Sequence, residues 1–152
     1  MRTFSKDELR SRTPRELFPG ARAPEAAVAG AWLALGDLDA AHKAAQEIET
    51  AEGSFWHAIM HRREPDPSNS AYWFRRTGRH PVFPALREKV AALLEEFADV
   101  RFALKAEWDP YAFIDFYETA RRKPGSRERE LSDAIERIEW ELLFEYCTRP
   151  PE

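Results

Sequence analysis

Apolar residues recur at three- and four-residue intervals through most of this chain, and that spacing restricts what it can fold into. In the last segment, five such residues fall on one stripe of a helix: Leu131, Ile135, Ile138, Leu142 and Tyr146. The only candidate strand is the short run at 99–104, and one strand cannot form a sheet. The pattern therefore predicts an all-α fold.

Glycine, proline and capping residues divide this pattern into about six or seven helices. Gly36 fits the end of one helix and Asp37 the N-cap of the next, which predicts a tight helical hairpin. Gly53 predicts another break in the chain, followed by a helix over about 54–64. Asp109 is placed to cap a later helix.

The length of 152 residues suits one domain with a sizeable core. Pro14, Pro19 and Gly20 interrupt the beginning of the chain, so we expect residues 1–23 to form an N-terminal arm, or a short helix and a loop. Residues 24–149 are predicted to form a single-domain helical bundle.

The composition excludes several classes of protein. A hydrophobic share of 43% and an aromatic share of 12% are too high for a disordered chain. A net charge of −4 and a pI near 5.7 lack the basic excess of nucleic-acid binders, so no nucleic-acid partner is expected. Cys147 is the only cysteine, which rules out an intramolecular disulfide. No run approaches the length of an apolar membrane span, so we expect a soluble, cytoplasmic protein without a membrane partner.

Residues 55–83 gather three of the four histidines, two tryptophans and five arginines, which predicts a functional site. His57 and His61 are i,i+4 neighbours on a helix, and Glu64 lies one turn further on the same face. Two imidazoles and a carboxylate can hold a divalent metal such as Zn²⁺ or iron, or act as acid–base groups without a metal. Alternatively, the imidazoles cap helix ends or pair with Glu64 and Asp66.

The arginines of this segment predict an anion-binding group. Arg63 falls on the apolar side of the predicted helix, and Arg75 and Arg76 directly follow a run of aromatic residues. A guanidinium directed inward needs an acidic partner or an anionic ligand. The ligand would carry a carboxylate or phosphate, which arginine binds bidentately. The alternative is ion pairing with acids elsewhere, including those of the last helix.

Further aromatic and polar side chains complete the predicted ligand-binding set. They are Trp56, Tyr72, Trp73, Asn69 and His80. The aromatic rings could stack on a ligand or belong to the core. The side-chain amide of Asn69 could cap a helix, contact the ligand or do both. His42 would join the other histidines if the helical hairpin packs beside residues 57–64.

Three parts of the chain, "GSFWHAIMHRREPD", "NSAYWFRR" and "GRHPVF", resemble the signature of an uncharacterised all-helical family of bacterial and fungal proteins. The resemblance covers roughly residues 30–120, and a motif string of this length is specific. It implies an all-helical fold but supplies no activity.

The residues favour a small-molecule enzyme or a ligand-binding domain for an anionic metabolite. His57, His61 and Glu64 are the predicted catalytic residues, and His57 and His61 are the predicted ligands of any metal. The alternative is a helical protein-interaction module, since the hairpin at 30–48 resembles one tetratricopeptide unit. No recurrence of about 34 residues follows, so a solenoid of such units is excluded. The substrate, the reaction and the oligomeric state stay open.

Overall fold

The protein is all-α in its computed structural model, which describes residues 3–152. That range contains nine α-helices: α1 (Lys6–Ser11), α2 (Pro14–Leu17), α3 (Pro24–Ala34), α4 (Leu38–Gln46), α5 (Ala51–Arg63), α6 (Pro67–Thr77), α7 (Phe83–Leu93), α8 (Pro110–Arg121) and α9 (Arg127–Thr148). A 3₁₀ helix (Leu94–Phe97) extends α7, and no strand is present between residues 3 and 152. The predicted all-α class is confirmed.

The helices outnumber the six or seven predicted because the N-terminal arm itself contains two. Ser5 and Thr13 each begin a short helix, and their hydroxyls accept hydrogen bonds from the backbone N–H groups of Glu8 and Glu16. The carboxylates of the two glutamates in turn accept hydrogen bonds from the backbone N–H groups of Ser5 and Thr13. These capping boxes satisfy free donors at the start of each helix. Residues 1–2, the start of the predicted arm, lie outside the described residues.

Helix α5 is the centre of the bundle. All ten residues from Gly53 to Arg62 are buried, and the helix packs against α3, α4 and α6. A helix that is enclosed in this way has no solvated face. Its polar side chains, above all His57, His61 and Arg62, therefore need partners inside the protein. None of the helices within residues 3–152 combines the length and the apolar character needed to cross a membrane.

The start of α5 differs from its prediction. Gly53 does not break the chain; it lies in the first turn of α5, where its N–H bonds to the Thr50 hydroxyl at the N-cap. A Cβ atom at position 53 would lie 2.6 Å from Ile48, and glycine avoids that clash. The glycine therefore marks a packing contact, and the helix begins at Ala51.

Other predicted helix ends are confirmed. Asp37 accepts a backbone hydrogen bond in the first turn of α4, and Asp109 accepts two in the first turn of α8. Gly36, between α3 and α4, adopts a φ of +75°, which favours glycine. The short hairpin that results brings α4 back against α5.

At Gly30, helix α3 lies directly against the central helix. A Cβ atom there would lie 2.6 Å from Cζ2 of Trp56, whose side chain is fully buried. We expect Gly30→Ala to lower the free energy of unfolding by about 1–2 kcal/mol, because overpacking costs more than the helix propensity gained. Denaturant titration measures the change. In a Trp56→Phe background, which lacks the clashing ring, the same substitution should be neutral or stabilising; an equal loss in both backgrounds would contradict this account.

Candidate metal centre

Three histidines meet where α4 packs on α5. The His42 ring on α4 lies with its centroid 4.8 Å from that of His57 and 5.5 Å from that of His61. The His57 and His61 rings, one turn apart on α5, lie nearly parallel with centroids 4.9 Å apart. One ring nitrogen of each histidine lies within 4.8 Å of the others. These positions allow three imidazoles to approach a single ion.

The helical hairpin supplies the third histidine. The tight turn at Gly36 and Asp37 reverses the chain, so that α4 runs back along α5. His42 meets its two partners edge-on, at interplanar angles of 85° to His57 and 73° to His61. The predicted place of His42 beside the other histidines requires the helical hairpin to pack against residues 57–64. That packing is present.

Burial keeps His57 neutral. Its side chain is almost fully enclosed, and its ring stacks on Trp73 with centroids 3.8 Å apart. Burial, followed by repulsion from His61 and His42, lowers the pKa of His57 to about 4. Its Nδ1 is buried without a hydrogen-bond partner among residues 3–152. A neutral imidazole with a free, enclosed nitrogen is the form that coordinates metal.

Glu64 orients His61. His61 Nδ1 donates a hydrogen bond to Glu64 Oε1 at 3.1 Å, which leaves Nε2 of the same ring as the ligating nitrogen. The Glu64 side chain is half exposed and meets the cluster through this imidazole. The carboxylate of Asp66 is also close enough to form a second set of donors with His61 and Glu64.

Asp66 is the N-cap of the next helix. Asp66 accepts hydrogen bonds from the backbone N–H of Asn69 at 3.2 Å and from its side-chain amide at 3.4 Å. Asp66 is therefore the N-cap and Asn69 lies in the first turn of α6, so the prediction that Asn69 is the cap is wrong. Helix α6 in turn carries Trp73 against His57.

Two arginines at the end of α5 join an ion-pair network with α9. Arg62 is fully buried and donates to the carboxylates of Glu136 and Glu139. Arg63 donates through Nε to Glu136 at 3.1 Å and through a terminal nitrogen to the carbonyl of Leu33 at 2.7 Å. Burial acts to lower the pKa of the Arg62 guanidinium, but the two carboxylates outweigh it and raise that pKa. These arginines have acidic partners and do not face the histidines.

Arg62, rather than Arg63, is the arginine directed into the core. The sequence contains a signal for its partner: Glu139 falls on the apolar stripe of the last helix, between Ile135 and Leu142. A fully buried glutamate needs a buried cation. The predicted alternative of ion pairing with acids of the last helix is present, with Glu136 and Glu139 as those acids.

The other predicted ligand-binding residues are not gathered at the histidines. Arg75, Arg76 and Tyr72 are exposed on α6, where the Arg76 guanidinium lies 5.3 Å from the centroid of the Trp73 ring. Trp56 is fully buried beside Gly30, in the core. Trp73 alone of this group contacts the three-histidine cluster.

His80 forms a separate buried pair. Its Nε2 donates to Glu52 Oε2 at 2.8 Å, and its Nδ1 accepts from the backbone N–H of Val82 at 3.1 Å. Both ring nitrogens are thus occupied. The ring packs edge-on against Phe55 and Tyr146, which places it apart from the other three histidines.

No family model, curated protein sequence or solved structure matches this chain. The resemblance to a helical family over roughly residues 30–120 stays a prediction. The chemistry of the three histidines therefore carries the functional argument.

Proposed function

We propose that the protein binds one divalent transition-metal ion, Zn²⁺ in first place, through His42, His57 and His61. The observation that carries the proposal is the meeting of three imidazoles from two helices in a buried setting. Imidazole suits zinc, iron and copper. Burial of so many polar rings is costly unless they have partners, and His57 Nδ1 has none in the described part of the chain.

The geometry suits a small closing movement on the ion. Zinc–nitrogen bonds of about 2.0–2.1 Å place tetrahedral ligand atoms about 3.3 Å apart. The ring nitrogens lie within 4.8 Å of one another, so modest rotations of the imidazoles bring them to that separation. His42 is the least buried of the three and has the most freedom to turn.

The number of ligands supports an open site. Structural zinc sites have four protein ligands, whereas catalytic ones have three and leave the fourth position to water or substrate. His57 and His61 therefore act as ligands in this proposal, and Glu64 acts as the positioning residue of His61. A carboxylate or phosphate oxygen of a small anionic molecule would take the free position, which makes the protein a metal-dependent enzyme or ligand-binding domain.

Metal analysis and titration test the proposal. Protein stripped with a chelator should take up one Zn²⁺ per chain, measured by elemental analysis and by competition with a chromogenic chelator. Zinc at a hundred times its Kd should add about 2.7 kcal/mol to the free energy of unfolding. If the protein is instead an interaction module, its free energy of unfolding should not depend on zinc. Absence of both stoichiometric uptake and stabilisation at neutral pH would overturn the proposal.

A further inference from the structure

A concave site separate from the three-histidine cluster lies at the C-terminal end of α6. It is a cleft of about 620 Å³ between the end of α6, the start of α7 and the segment 106–111. Its volume falls in the range of about 300–1,000 Å³ that small-molecule sites occupy. The cleft shares no residue with the three-histidine cluster.

The floor of the cleft is aromatic. Phe74 and Trp108 are buried, Phe83 is half-buried and Tyr111 is exposed at the edge. Phe74 and Phe83 both pack on Phe55 of the central helix, so the floor rests on a fixed part of the core. Aromatic walls of this kind favour an aromatic ring, which can stack or pack edge-on against them.

The rim of the cleft carries both signs of charge. Arg87 is held in place, since its Nε donates to the carbonyl of Lys105 at 3.0 Å and a terminal nitrogen donates to Glu88 at 3.1 Å. Arg79 and Glu107 lie at the mouth, with Arg79 nitrogen and Glu107 oxygen 4.0 Å apart and both side chains largely exposed. A loose, exposed pair of this kind contributes little to stability and is free to rearrange around a ligand.

We propose that this cleft binds a small zwitterion with an aromatic ring, of the chemical class of the aromatic amino acids. The carboxylate of the ligand meets Arg79 and Arg87, its ammonium group meets Glu107, and its ring lies on Phe74, Phe83 and Trp108. The rim pairs Arg87 with Glu88 and Arg79 with Glu107, so its charges balance. A ligand with one charge would take one member of such a pair and leave the other without a partner, whereas a zwitterion supplies a partner for each.

Three probes with one phenyl ring separate these possibilities by calorimetric titration. L-phenylalanine carries both charges, 3-phenylpropionate lacks the ammonium group and phenethylamine lacks the carboxylate. We expect L-phenylalanine to bind with a Kd about tenfold lower than either single-charge analogue, the size of one hydrogen bond to a charged group. Absence of saturable binding of L-phenylalanine at millimolar concentration, or equal or tighter binding of either analogue, would overturn the proposal.

Exposed residues of the rim give the matching variants. Glu107→Gln should abolish the preference for L-phenylalanine over 3-phenylpropionate, and Arg79→Ala should reduce the preference over phenethylamine. Ala106→Trp should fill the cleft and remove binding of all three probes. Arg75→Ala, on the exposed surface of α6 outside the cleft, is the control and should leave every Kd unchanged. Binding that survives Ala106→Trp would place the probe elsewhere and refute the assignment.

Discussion

Replacing Glu139 with glutamine should lower the free energy of unfolding by about 3–5 kcal/mol, the cost of breaking a buried ion pair from one side. Both side chains of the Arg62–Glu139 pair are fully enclosed, and Phe113 and Tyr117 cover the guanidinium. Glutamine keeps the shape of glutamate but removes its charge. The Arg62 guanidinium then stays charged with only Glu136 to balance it, and Glu136 is shared with Arg63. Urea denaturation measures the loss.

Two comparison variants make this result specific. The double replacement Arg62→Met with Glu139→Leu removes both charges and should recover much of the lost stability, because apolar pairs of similar volume often replace buried ion pairs without loss. Asp133→Asn breaks the exposed pair between Arg129 and Asp133 and should change stability by no more than about 0.5 kcal/mol. A loss for Glu139→Gln as small as that for Asp133→Asn would mean that water reaches the pair.

Replacing His42 with alanine should weaken Zn²⁺ binding by more than about 100-fold, because loss of even an outer partner of a metal ligand costs about 10–100-fold. His42 is half-buried on the short helix α4, so the variant should remain folded. Glu64→Gln keeps the shape of the partner of His61 and should fall within the 10–100-fold range. Chelator competition on the stripped proteins gives the affinities, and circular dichroism checks the fold.

Two further variants test the identity of the ligand set. His80→Gln alters the one histidine outside the cluster and should leave the affinity for zinc unchanged, whatever it does to stability. Asp66→Asn keeps a good N-cap for α6 but removes one carboxylate of the alternative donor set with His61 and Glu64. Loss of affinity in Asp66→Asn without loss in His42→Ala would move the ion to that alternative set.

The fold class could be predicted because most helices of this protein have one apolar stripe and clear end signals. Asp37 and Asp109 cap helices where the sequence places them, since a short carboxylate before a helical pattern has few other uses. Gly53 misled the prediction, because a glycine that makes room for Ile48 looks the same in sequence as one that ends a helix. The two short helices of the N-terminal arm lack the length that makes periodicity visible.

The candidate site was harder to predict because α5 is buried on every side. A helical wheel assigns directions only when one face is polar, and α5 has no such face to fix its rotation. Arg63 was therefore predicted to point inward, whereas Arg62 does so. The i,i+4 relation of His57 and His61 depends on spacing alone and survives this ambiguity. The cleft brings residues near 80 together with residues near 108. The chain reaches the second group through the irregular stretch at 98–109, whose path sequence periodicity does not fix.

Helix α6 contributes to both proposed sites, because Trp73 stacks on His57 and its neighbour Phe74 lines the cleft. A small rotation of this one helix would change both walls together. If zinc alters the affinity of the cleft by some factor, thermodynamic linkage requires the occupant of the cleft to alter the affinity for zinc by the same factor. Trp73 and Phe74, adjacent on α6, would carry such coupling if both proposed sites are occupied.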